Sequence, residues 1–245
     1  MSKVILVTGS NSSIGFELVR ILAEKGHTVY LASRNEQAGQ EAQKSLHAKG
    51  LTNVKYTTLD VRDPRTIAAS VALISAAHGK LDVLVNNAAI SRNDVAQHPS
   101  QLSVAVARDV FETNYLGIIE TTTAFLPLLR AAKAAGGVPV ITNVSSPLGS
   151  QAYQSRDDAT TVFTAYGNSK AAVNGYTVAL ANELKKEGFK VNAVSPGLVA
   201  SRLNDFVKGG RTLEEGALGI LPMVLLDDNG PTGKFFNWDG SEIAW

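Results

Sequence analysis

The chain has 245 residues, 44% of them hydrophobic and 18% charged, which is apolar material for one large core and too little length for two full domains. Its 23 Lys and Arg against 22 Asp and Glu leave a net charge of +1, too weak a field to capture nucleic acid or an anionic membrane, so a small molecule is the expected partner. With no cysteine, disulfides, thiolate nucleophiles and thiolate metal sites are excluded.

Short β-branched runs alternate with longer segments of helical period, the pattern of βαβ units in a parallel sheet. Strands are expected at Val4–Thr8, Thr28–Ser33, Val54–Leu59, Asp82–Asn86, Val138–Val144, Phe189–Val194 and Lys234–Asn237, each compact, apolar and flanked by turn residues. Helical spacing of Ile, Leu, Val and Ala marks Ile14–Lys25, Glu36–Lys49 and Arg65–Ala77, and two long helices are expected over Val104–Arg130 and Thr164–Glu187. Right-handed crossovers then place helices on both faces of a Rossmann-like, doubly wound, seven-stranded parallel sheet. No repeat, low-complexity run or linker divides residues 1–245, so one dinucleotide-binding domain is expected. The glycine-punctuated stretch Leu198–Gly219 breaks the regularity and is read as a mobile, substrate-covering segment. No apolar run reaches the ~18 residues of a membrane span, and Val4–Val7 is too short for a signal peptide. A cytoplasmic protein without membrane partners is the expectation.

Between the first strand and first helix lies Thr8-Gly9-Ser10-Asn11-Ser12-Ser13-Ile14-Gly15. Glycines in such a turn let backbone approach a pyrophosphate, and the helix N-terminus favours the negative charge. At the end of the second strand, Ser33-Arg34 offers a guanidinium where NAD-preferring folds offer an acid, so Arg34, assisted by Ser33, suits the 2′-phosphate of NADP. Asp60 ends the third strand and can accept from an exocyclic amine. Asn86 and Asn87 end the fourth, where side-chain amides can clamp neighbouring backbone. Tyr166 and Lys170 stand one helical turn apart, so that an ammonium beside a phenol would favour phenolate and allow proton exchange near neutral pH. Ser145 and Ser146 close the fifth strand, and spacing alone does not choose between them. His27, His47, His78 and His98 are scattered with no partner at ligand spacing, so no metal is expected. Trp238 and Trp245 suit either a substrate mouth or packing.

Together these segments resemble the classical short-chain dehydrogenase/reductase family from Val4 to about Arg202. Thr8-Gly9-x-x-x-Ser13-Ile14-Gly15 is similar to its glycine motif, with Ser13 at the middle glycine, where a Cβ either crowds the phosphates or must adopt a φ that glycine takes freely. Asn86-Asn87-Ala88-Ala89 resembles its Asn-Asn-Ala-Gly segment with Ala89 at the last glycine. The resemblance implies an NADP(H) site formed by Gly9, Asn11, Ser13, Ile14, Gly15, Ser33, Arg34, Asp60, Val61, Asn87, Tyr166, Lys170, Pro196, Gly197, Val199 and Ser201. It implies Tyr166 as general acid/base, Lys170 holding Tyr166 and ribose, Ser146 orienting the substrate oxygen, and Asn114 holding a water that links Lys170 to solvent. The implied reaction is hydride transfer between nicotinamide and a ketone, aldehyde or alcohol carbon; the alternative is a catalytically silent NADP(H)-binding module. Tyr153 has Asp157, not lysine, four residues on. The interval Gln151 to Asp158 is similar to an insertion of the monomeric carbonyl reductases, while relatives also include homodimers and homotetramers.

Overall fold

The computed structural model describes residues 2–245. Seven parallel strands, β1 (Val4–Val7), β2 (Thr28–Ser33), β3 (Val54–Thr58), β4 (Val83–Asn86), β5 (Val140–Val144), β6 (Lys190–Val194) and β7 (Phe235–Phe236), form one sheet in the order β3-β2-β1-β4-β5-β6-β7. The chain reverses its direction of travel across the sheet at β1, which pairs with β2 on one side and β4 on the other. A crevice opens there at the carboxyl ends of the strands, the usual ligand position in such sheets.

The alternation of side chains along each strand divides the core. Ile5, Val7, Val29, Leu31, Val83 and Val85 face α1 (Ser13–Glu24), α2 (Glu36–His47) and α8 (Leu213–Val224). Val4, Leu6, Tyr30, Leu84, Ile141 and Val191 face α3 (Pro64–His78), α5 (Gly117–Ala134) and α7 (Thr164–Leu184). Both faces are therefore covered, which is why the central strands β1 and β4 read as continuous apolar runs. No helix among the described residues is long and apolar enough to cross a membrane.

Two expectations change. The long helix expected over Val104–Arg130 is α4 (Val104–Phe111), a π-helical turn Glu112–Leu116, and then α5. At Gly117, where α5 starts, a Cβ would lie 2.8 Å from the Val61 side chain, so this junction packs tightly against the loop after β3. The second concerns the segment Leu198–Gly219, whose latter part is regular helix. From Leu213 it enters α8, opened by a capping box in which Thr212 Oγ1 accepts from Glu215 N while Glu215 accepts from Thr212 N. Its glycines are packing positions: a Cβ at Gly216 would sit 2.6 Å from Val199 Cγ2, and one at Gly219 2.8 Å from Trp238 Cβ. A short helix, α6 (Gln151–Gln154), lies inside the interval read as an insertion.

Candidate active site

The crevice is a cleft of about 690 Å3 lined along one side by Gly9, Asn11, Ser13, Ile14, Gly15, Arg34, Asp60, Val61 and Asn87, and reaching Ser145, Tyr166, Lys170, Pro196 and Ser201 at the other. Its floor is held by side chain to backbone bonds between β1 and β4. Asn87 Nδ2 donates to the carbonyls of Thr8 and Gly9 at 2.8 and 3.1 Å, and Thr8 Oγ1 accepts from Asn87 N and Ala88 N. The glycine turn can lie this close only without side chains. Gly9 has φ +61°, and a Cβ at Gly15 would stand 2.6 Å from Asn87 Nδ2.

Ser13 adopts φ +55°, so the left-handed conformation of the replaced glycine is retained at a cost of about 1 kcal/mol. Its Oγ faces the segment after β6, accepting from Arg202 N at 3.4 Å. At the far wall, Arg34 is exposed and has no acidic partner among the described residues. Ser33, by contrast, is buried, and its hydroxyl is engaged with the backbone of Asn35. A glycine turn at a helix N-terminus, a free guanidinium beyond β2 and a cleft of this volume are the donor set that a phosphorylated dinucleotide requires.

The segment after β6 roofs this cleft. Gly197 takes φ +77° against Trp238, and Val199, buried, pairs with Arg211. Ser201 N donates to Asn204 Oδ1 in a capping box that shapes the turn Arg202–Asn204. Ser91 Oγ donates to Leu203 O at 2.5 Å and Asn93 Nδ2 to Asp205 Oδ2 at 2.7 Å, so the strap is tied to the loop after β4. Trp238 lies under the Arg211 guanidinium, its ring centroid 3.2 Å away, and Trp245 stacks on Phe235, while both indoles remain more than a third exposed.

Tyr166 and Lys170 lie on α7, with Lys170 Nζ 5.6 Å from the Tyr166 ring centroid and donating to Val144 O at 2.8 Å. Burial pushes the Tyr166 phenol up to about 12, partly opposed by the hydroxyl of Ser146, and pulls Lys170 down to about 8. Burial thus opposes the phenolate that a neighbouring ammonium favours. The two serines separate cleanly. Ser145 Oγ donates to Asn174 Oδ1 at 2.7 Å, whereas Ser146 Oγ accepts from Leu148 N at 3.3 Å and lies beside the Tyr166 phenol.

Asn114 sits in the π-helical turn, fully buried, with Nδ2 donating to Ile90 O and Ser169 Oγ and Oδ1 accepting from Ile90 N. Both amide hydrogens are spent on protein, so the side chain is a clamp between the loop after β4 and α7, and Lys170 is not among its partners. Tyr153 has Arg156 4.4 Å over its ring face, and among the described residues no group of acids and histidines could hold a metal ion. Sequence reading missed Ser91, Arg202 and Leu203, which also line the cleft, and Gln97, which is buried against Tyr166 N. No local pattern marks these residues, because they converge from loops distant in the chain.

Residues 3–210 match the family model described as short chain dehydrogenase. Salutaridine reductase of Papaver bracteatum is 31% identical across 98% of this chain and 94% of its own, and (+)-neomenthol dehydrogenase of Capsicum annuum 30% identical across 94% of each. Among solved structures, an NADPH-bound carbonyl reductase from chicken fatty liver superposes with TM-score 0.86 at 28% identity, covering 100% of this chain and 99% of that one. The carbonyl reductase Sniffer of D. melanogaster gives 0.86 and 28% with full coverage of both chains.

Proposed function

The chain belongs to the short-chain dehydrogenase family and is an NADP(H)-dependent oxidoreductase, and from this premise we propose that it reduces a ketone or aldehyde to the alcohol with Tyr166 as the proton donor. When bound, the nicotinamide supplies or takes the hydride. The chain's own residues do the rest. Gly9, Ser13 and Gly15 form the turn that receives the pyrophosphate, and Arg34 reads the 2′-phosphate. Ser146 donates to the substrate oxygen beside Tyr166, and the half-buried phenol delivers its proton to that oxygen as charge develops on it.

Lys170 supports the phenol from beneath. With its pKa drawn toward 8, the ammonium is still the main form at neutral pH, and its charge stabilises the phenolate left after proton transfer. Asn114 holds α7 in place through Ser169, whose hydroxyl donates to Tyr166 O at 2.7 Å.

The observation that carries this reading is the joining, in one cleft, of a free arginine beyond β2 with a half-buried Tyr166 over a buried Lys170 at the end of β5. Likenesses to an NADPH-bound carbonyl reductase and to salutaridine reductase support a carbonyl substrate. The test is NADPH oxidation with a panel of aliphatic, alicyclic and aromatic ketones, aldehydes and quinones. Tyr166→Phe should lower kcat by about 10²- to 10⁴-fold, the range of general acid catalysis, while NADPH still binds. A panel without turnover, or full activity in Tyr166→Phe, overturns the proposal.

A further inference from the structure

The first turn of α7 lacks a cap of its own. Phe163 stands at the N-cap position, with φ −122° and ψ 39°, and offers no side-chain acceptor to the exposed N–H groups that begin a helix. Those groups are served from elsewhere. Gln97, in the loop between β4 and α4, accepts from Thr164 N through its main-chain carbonyl at 3.3 Å and from Tyr166 N through Oε1, also at 3.3 Å.

The other end of the same amide points in the opposite direction. Gln97 Nε2 donates to Ser91 O at 2.7 Å and to Arg92 O at 2.8 Å, so both of its hydrogens are used and the residue is only 1% exposed. Ser91 is the residue whose hydroxyl holds the strap at Leu203. Arg92 takes φ +52° and pairs with Asp94 and Asp109, which pins this turn to α4. One buried glutamine therefore joins three things: the roof of the cleft, the loop beneath it and the backbone of the proposed proton donor.

An ordinary core residue would not need this arrangement. A glutamine placed only to fill space leaves its amide to be satisfied by whatever is near, whereas here both donors meet the turn that carries the strap and the acceptor meets the main chain of Tyr166. A hydrophobic residue of equal size would leave Ser91 O and Tyr166 N without a partner, while Arg92 O would keep only the bond from Val95 N.

We propose that Gln97 is a positioning residue, which sets the Tyr166 backbone against the strap-bearing turn and thereby places the phenol in the cleft; the inference rests on Tyr166 being the proton donor. Loss of the amide should misplace the phenol with little effect on the distant Arg34 end of the dinucleotide site.

The experiment compares the full chain with Gln97→Met, similar in length but without either function, and with Gln97→Glu, which keeps an acceptor for Tyr166 N and loses both donors until its carboxyl is protonated. The carbonyl used is whichever panel compound the wild type reduces fastest. In Gln97→Met, kcat should fall by about ten- to a hundredfold, the cost of a small displacement of a reacting group, with NADPH affinity within about twofold of wild type. The deuterium isotope effect with 4-deuterated NADPH should grow as chemistry becomes more limiting. In Gln97→Glu, the ratio of variant to wild-type kcat should climb as pH falls and the protonated carboxyl recovers a donor.

Unchanged kcat and isotope effect, accompanied only by a lower melting temperature, would overturn the proposal by showing that Gln97 stabilises and does not position. Should Gln97→Met fail to fold, the pH dependence of Gln97→Glu decides, and a flat ratio overturns it. If the wild type reduces no carbonyl, the functional reading fails by itself. Gln97 is then judged by ultraviolet titration of the Tyr166 phenol, taken as the difference from Tyr166→Phe: a fall from about 12 toward 10 in Gln97→Met supports positioning, and an unmoved titration overturns it.

Discussion

Lys170→Met should stabilise the protein at neutral pH while abolishing its activity. The lysine is buried, and burial draws its pKa from the ordinary 10.5 to about 8, so at pH 7 the fold carries an ammonium that the interior disfavours. A difference of that size corresponds to about 3 kcal/mol. Methionine keeps most of the volume but loses the bond from Nζ to Val144 O, worth about 1 kcal/mol, so the variant should be about 2 kcal/mol more stable at pH 7.

The pH dependence is the sharper test. Between pH 8 and 10.5 the unfolded chain still holds the lysine proton that the folded chain has released, so wild-type stability gains from this group as pH rises through that window. Methionine has no such gain. Urea denaturation of both proteins, followed by circular dichroism at matched pH values, should show the variant's advantage falling by about 3 kcal/mol between pH 7 and 10.5, other titrations cancelling in the difference. A difference that stays level across this range refutes the reasoning, because it would mean that the folded state does not perturb this lysine. The functional corollary is that stability is given up here to keep a cation beneath the phenol, as expected of a site selected for chemistry.

Other perturbations follow from the same geometry. Arg34→Ala removes the unpaired guanidinium at the cleft wall, and loss of its charge-assisted bonds should raise KM for NADPH by about ten- to a hundredfold while leaving KM for NADH nearly unchanged. Equal shifts for both cofactors in steady-state assays would remove Arg34 from phosphate recognition. Ser13→Gly relieves a left-handed serine, φ +55°, at the expense of a long 3.4 Å bond to Arg202 N, and should raise unfolding free energy by up to about 1 kcal/mol in urea titration. A loss of stability would show that the hydroxyl contact outweighs the strain.

Much of the fold was legible because its signals are local. Seven runs bounded by turns became seven strands, and burial on both faces explains why β1 and β4 read as continuous apolar runs, whereas the edge strand β3 alternates. The chemistry-bearing motifs were legible for a related reason. Tyr166 and Lys170 are one helical turn apart, and the glycine turn is contiguous, so spacing alone places their groups together. Helix α8 was hidden by Gly216, Gly219 and Pro222, which read as breaks, although Thr212 and Glu215 carried a capping-box signal that would have found its start. The π-helical turn at Asn114 interrupts a pattern that still looks helical, since insertion of one residue into a turn alters hydrogen-bond register without altering composition.

The sequence by itself therefore determined the seven strands, the parallel sheet and the identity of the tyrosine, lysine and arginine at the cleft. Tertiary structure alone decided that Ser145 belongs to Asn174, that Asn114 clamps Ile90 and Ser169, and that Gln97 caps a helix 67 positions beyond it. The reason is one of range: backbone propensity and side-chain period act over a few residues, whereas the partner of a buried polar group is settled by which distant loops the packed core brings within hydrogen-bonding distance.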